Sequence, residues 1–188
     1  GYGDDKGIFA FGDGPVNVKN LVSNEGVVAS DGTGVGTARQ YTAACRYGTD
    51  TALFAYGHTG SYISISNLVS NAGVVATDTT GVGTGRSSLG AVTYDEDKGI
   101  FAYGYSGPYH SISNLVSNSG VIATDVTGVG TARAYPVGCT YDTDKAIMAF
   151  GYTGSDTGVS NLINSSGVVA TDTAAVGTAR RVAACTAY

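Results

Sequence analysis

Residues 98–104 read Lys98-Gly99-Ile100-Phe101-Ala102-Tyr103-Gly104, a short apolar run bounded by turn formers. In an extended chain Ile100 and Ala102 point one way and Phe101 and Tyr103 the other. Both faces are apolar or aromatic, so such a strand needs cover on both sides; a half-buried strand would alternate with polar residues. Comparable runs surround it. Val137-Gly138-Cys139-Thr140-Tyr141 ends at a turn, Asp142-Thr143-Asp144-Lys145, matched one copy earlier by Asp95-Glu96-Asp97-Lys98. Residues 111–116 and 121–125 flank Ser117-Asn118-Ser119-Gly120, where Asn and Gly supply the positive φ of a hairpin turn. The pattern predicts four short antiparallel strands per unit. Interruption by Gly, Pro and β-formers weighs against helix in the Ala-rich stretches.

The unit is repeated. Arg39, Arg86, Arg133 and Arg180 lie 47 residues apart, each closing Val-Gly-Thr-Ala-Arg or Val-Gly-Thr-Gly-Arg, and the 188 residues are four times 47. A period of this length points to a propeller or solenoid. Four-stranded sheets packed face to face around an axis cover both faces of every strand, which is a β-propeller. The small residues of strand one (Ala43-Ala44-Cys45, Gly90-Ala91-Val92, Val137-Gly138-Cys139) suit a crowded axis, and Pro136 suits an edge strand. Tyr2–Lys6 match the end of strand one, and Arg180–Cys185 begin another copy of it. The expected fold is therefore all-β: one domain over 1–188, a four-bladed propeller closed by pairing of the C-terminal strand with the N-terminal blade, and monomeric. The alternative is a larger ring completed by a second chain or a longer array.

Composition narrows the function. Charged residues make up 13% and the net charge is −5, with no basic cluster, which argues against nucleic acid as a partner. No apolar run reaches the length of a membrane span. Low charge with many Ser, Thr, Asn and Gly fits an extracellular or virion surface. The three cysteines, Cys45, Cys139 and Cys185, are odd in number and lack CxxC spacing, so small core residues are expected rather than a disulfide framework.

Candidate chemistry is sparse. Gly32-Thr33-Gly34-Val35-Gly36-Thr37 follows a strand but precedes another, without the helix or Lys of a phosphate loop. Asp residues recur before strand two and at 31, 78, 125 and 172, as turn caps would. His58 and His110 have no neighbours at metal-ligand spacing, and no Gly-x-Ser-x-Gly elbow is present, so neither cofactor, metal nor catalysis is expected. The two-to-three loops and the four arginines should share one side. That side gathers Arg39, Arg86, Arg133 and Arg180 with His58, Tyr62, Tyr105, Tyr109, His110 and Tyr152 as candidate ligand contacts. The arginines have a bland alternative, tying neighbouring blades through carbonyls or an Asp. The loop aromatics vary between copies while the strands hardly do, as in a recognition surface on a rigid scaffold.

Lys98–Gly104 and Gly130-Thr131-Ala132-Arg133 resemble the glycine-ended strand and inner-strand turn of kelch-type repeats, although Tyr105, Tyr152, His58 or Asp13 replaces the second glycine and no Trp is present. The phrase Asn-Leu-Val-Ser-Asn…Gly-Val-Val-Ala-Thr-Asp…Gly-Val-Gly-Thr-Ala-Arg is similar to repeats of structural and tail proteins of tailed phages. This resemblance implies a non-catalytic virion or tail-associated module, virion-borne or extracellular, that binds a host-surface glycan or protein, or else a purely structural virion part docking on other virion proteins. A propeller enzyme is the remote third reading.

Overall fold

A computed structural model describes residues 1–187. They form eleven strands and no helix. β1 (Gly7–Gly12) pairs with β2 (Val16–Val22) as a two-stranded sheet. Three three-stranded antiparallel sheets follow. They are β3 (Ala43–Tyr47), β4 (Thr51–His58) and β5 (Tyr62–Val69); β6 (Gly90–Tyr94), β7 (Lys98–Ala102) and β8 (Ser113–Val116); and β9 (Val137–Tyr141), β10 (Lys145–Tyr152) and β11 (Asp156–Ile163). β3 packs on β6 and β6 on β9, so the first strands of successive sheets stand side by side.

Each unit buries one face against the next. Leu53 and Ala55 of the second unit cluster with Phe101 of the third; Ile100 and Ala102 of the third cluster with Met148 of the fourth. Phe54 packs with Tyr2 of the first. Phe101 and Met148 are fully buried, worth roughly 2–3 kcal/mol each in apolar transfer. Simple alternation fails at one place. Tyr103, expected beside Phe101, joins Ile100 and Ala102. Tyr103 and its counterparts Phe11, Tyr56 and Phe150 have φ of 65°, 63°, 61° and 62°. In β1, β4 and β10 the ladder register slips at this residue. A left-handed residue at a bulge resets the alternation and turns its ring to the other face.

Three expectations need correction. The fourth strand does not form a ladder. Residues 121–126 are held by isolated bridges, Val116 with Ile122 and Ser113 with Val126. The Asn114 amide donates to the Ala123 carbonyl at 3.0 Å, so a side chain occupies a position that a ladder would have filled. In the turn before it, Gly120 alone takes positive φ (78°); the Ser117 hydroxyl accepts from the Ser119 and Val121 amides and does the rest. The expected pairing of the C-terminal strand with the N-terminal sheet is not formed among the described residues: 181–187 form no strand, and β1 pairs with β2 alone. Finally, Cys139 and Cys185 form a disulfide, Cα–Cα 5.8 Å. Sequence alone could not find it, because the two occupy non-equivalent repeat positions. Cys45 remains a buried thiol, pushed up to about 12 by desolvation.

Candidate binding face

Arg39, Arg86 and Arg133 are 0% exposed. Arg86 donates through Nε to the Tyr103 carbonyl (2.7 Å), through Nη1 to the Thr84 carbonyl (3.0 Å) and through Nη2 to Asn114 Oδ1 (2.7 Å). Its guanidinium lies 4.5 Å over the Tyr56 ring of the preceding unit. Arg39 and Arg133 repeat this, stacked at 3.8 Å on Phe11 and Tyr103. Burial lowers all three pKa values, Arg39 to about 10, which leaves them charged at neutral pH. Each arginine thus clasps two units and holds the left-handed aromatic of the second by its carbonyl. The three are closed to any ligand, which corrects their place on the candidate face.

The recurrent aspartates complete the clasp. Asp78, Asp125 and Asp172 accept from the backbone and hydroxyl of Thr37, Thr84 and Thr131 in the preceding unit, with hydroxyl distances of 2.5–2.6 Å. The Gly-Val-Gly-Thr loop seats on this pair. At Gly36 (φ 76°) a Cβ would lie 2.3 Å from Asp78 Oδ1, so only glycine fits. Arg180 is different: it is exposed, its guanidinium stacks 3.6 Å over Phe150, and Nη1 donates to the Thr178 carbonyl.

The loop aromatics converge. His58 Nδ1 accepts from the Gly60 amide, which fixes its ring beside Tyr62. Ring centroids then run His58–Tyr62 4.9 Å, Tyr62–Tyr105 6.0 Å, Tyr105–Tyr109 5.2 Å and Tyr109–Tyr152 6.1 Å. Arg181 ends the row, 4.0 Å over Tyr152 and 3.4 Å from Asp156. The backbone explains the alignment. His58, Tyr105 and Tyr152 bridge Gln40, Ser87 and Ala134, the residues that follow each clasping arginine. A rigid clasp therefore positions one ring per unit, and Tyr62 and Tyr109 fill the gaps. All five rings are half-buried. Desolvation first, then Tyr152 and Tyr105, raise the Tyr109 pKa.

His110 sits apart from this arc. Its Nε2 lies 2.6 Å from Ser106 Oγ, and burial together with the Arg86 charge lowers its pKa. It serves the 105–110 loop rather than the row of rings. Sequence reading missed Tyr41, Tyr135 and Arg181. Tyr41 and Tyr135 are counterparts of Ser88, all three with φ of 55–56°, and the Tyr41 carbonyl accepts from Ser88 whose carbonyl accepts from Tyr135. Tyr41 is 46% exposed and its pKa is raised, first by the Asp13 charge. Their 47-residue phase was a signal, obscured by Ser88 at the middle copy.

A cavity of about 310 Å³ opens where the first strands meet, lined by Ala44, Val92, Gly138, Cys185 and their neighbours. Arg46 is the only charged side chain among its described lining. No group of three His, Cys, Asp or Glu able to hold a metal occurs among the described residues.

No family model matches the chain, and no curated protein matches it. Solved structures do. One, described as the structure of YjhT, is 14% identical with a TM-score of 0.57, over 84% of this chain and 51% of that one. The chain thus spans about half the length of that neighbour. At this identity the likeness concerns the fold alone, the succession of small antiparallel sheets.

Proposed function

We propose that the four units are blades of a β-propeller and that the chain is a non-catalytic binding module. Its binding face is the arc His58–Tyr62–Tyr105–Tyr109–Tyr152, and its partner a host-surface glycan or protein met by a phage virion or tail. The observation that carries the reading is the row of five half-buried rings, continuous across three units, built from positions where the copies differ. Tyrosine gives large amphipathic contact with little entropy to lose, and its faces suit sugar rings. Arg181 and Asp156 add hydrogen-bonding groups at the Tyr152 end. The disulfide is of a kind kept in oxidising surroundings, in keeping with a virion or extracellular setting. The repeat phrase is the ground for the phage assignment.

Glycan-array screening of the chain beside a Tyr105→Ala/Tyr109→Ala variant tests the proposal. Binding that the variant loses supports it; no glycan bound, or binding the variant keeps, counts against it. A purely structural virion part is the second reading, favoured by the near-identity of the units, since symmetry serves assembly.

A further inference from the structure

The row of rings has a period of its own. His58, Tyr105 and Tyr152 are 47 residues apart, and so are Tyr62 and Tyr109. Within each unit the two positions stand opposite each other at the stem of one loop: His58 with Tyr62, Tyr105 with Tyr109, Tyr152 with Asp156. The two ring pairs inside a unit have centroids 4.9 and 5.2 Å apart, at interplanar angles of 60° and 52°. Between units the steps are 6.0 and 6.1 Å, at 81° and 78°. Two kinds of step thus alternate, because successive units supply the same two-ring motif.

The row stops where the residues change. Asp13 stands where the later units carry His58, Tyr105 and Tyr152, and Asp156 stands where units two and three carry Tyr62 and Tyr109. At the second of these ends Arg181 lies 4.0 Å over Tyr152 and 3.4 Å from Asp156, so the two formal charges offset each other. The area on offer is modest. Five half-buried rings of roughly 200 Å² each leave on the order of 500 Å² to a partner, short of the roughly 800 Å² per side of a standard protein interface. A narrow row with an internal period and offset charges suits a slender, uncharged ligand with a period of its own.

We infer that the ligand is a linear, uncharged polysaccharide, which lies along the row across units two to four and is held by its internal sugars rather than by a terminal one. The inference rests on the reading of this arc as a binding face. A pyranose and a phenol ring are similar in width, so successive sugars of one chain can meet successive rings. The steep tilts make neighbouring rings present a face and an edge in turn. A face stacks on sugar C–H groups, and an edge brings a tyrosine hydroxyl to the sugar hydroxyls. A folded protein surface has no such period to match, and an acidic glycan would meet Arg181 already engaged by Asp156. Each added sugar gains one contact, so affinity grows with chain length until the row is full.

Calorimetric titration of the chain with linear glucose, mannose, xylose and N-acetylglucosamine oligomers, from single sugars to hexamers, tests it. For at least one series, affinity should rise on the order of fivefold per sugar and level off at about five sugars. Tyr152→Ala should end the rise one sugar earlier and leave trimer binding unchanged. Asp156→Tyr, which places a ring in the phase of Tyr62 and Tyr109, should extend the rise by one sugar. A single sugar bound as tightly as the hexamer, or a length dependence that neither variant shifts, overturns the inference. Binding to none of the four series overturns it too, whether a protein or an acidic glycan is bound instead. The binding face itself falls only if Tyr105→Ala/Tyr109→Ala keeps the binding that the parent shows.

Discussion

Arg133 and Arg180 are one residue of the repeat in two surroundings. Arg133 is buried with every nitrogen engaged; Arg180 is exposed and engages one carbonyl. Removing the first takes the arginine donors from Asn161 Oδ1 and the Phe150 carbonyl in the interior. Arg133→Met should therefore cost about 3 kcal/mol or more, a fall in Tm on the order of 10 °C. Arg180→Met should stay within about 1 kcal/mol of the parent. Thermal unfolding of the pair checks this, and equal losses would contradict the clasp. Cysteine chemistry separates at the same scale. Burial holds the Cys45 thiol protonated, so after mild reduction of the folded protein iodoacetamide should modify Cys139 and Cys185 and spare Cys45, as peptide mapping would show. The arginines were legible because they repeat; their burial was not, because spacing says nothing of which side of a strand end a guanidinium folds over.

The interface between units is an element-scale device, and its charges set a pH dependence. Asp78, Asp125 and Asp172 lose some ionisation to burial, but hydrogen bonds from Thr37 and Asn67, Thr84 and Asn114, and Thr131 and Asn161 outweigh it and hold each pKa below the ordinary 3.8. A carboxylate with a depressed folded pKa contributes stability that is complete above its unfolded pKa and disappears as pH falls through the folded value. Stability should accordingly be level from neutral pH to about 5 and drop below about 4. Asp125→Asn should lower stability at pH 7 by about 1–2 kcal/mol and flatten the acid limb, as urea titrations at a series of pH values would show. The three-strand core was readable from apolar runs such as 98–104. The fourth strand was misread because Asn114 and Asp125 strap that segment by side chains, and apolar spacing does not distinguish a strap from a ladder. The bulge at Tyr103 was hidden for a related reason: a left-handed aromatic leaves no compositional mark.

At the scale of the whole molecule, likeness and difference between copies divide the work. Positions that repeat, from Gly36 and Thr37 to the arginines and aspartates, join one unit to the next. Positions that drift, His58, Tyr105 and Tyr152 with Tyr62 and Tyr109, lie in one row on the face that the clasps align. The row was partly visible in sequence as divergent loop aromatics; its continuity was not, because it depends on neighbouring units contributing alternate rings. Pairing of the C-terminal strand with the N-terminal sheet was expected from the repeat phase; among the described residues β1 instead pairs with β2 alone, and the disulfide ties the C-terminal segment to β9. The central claim is that the drifting row binds and the repeating clasp only supports it. Its most direct test is a glycan array read for parent and Tyr105→Ala/Tyr109→Ala protein matched for folded concentration by thermal melting. The account predicts a Tm for the variant within about 4 °C of the parent and loss of the parent's array signal; retention of that signal by a folded variant would contradict it.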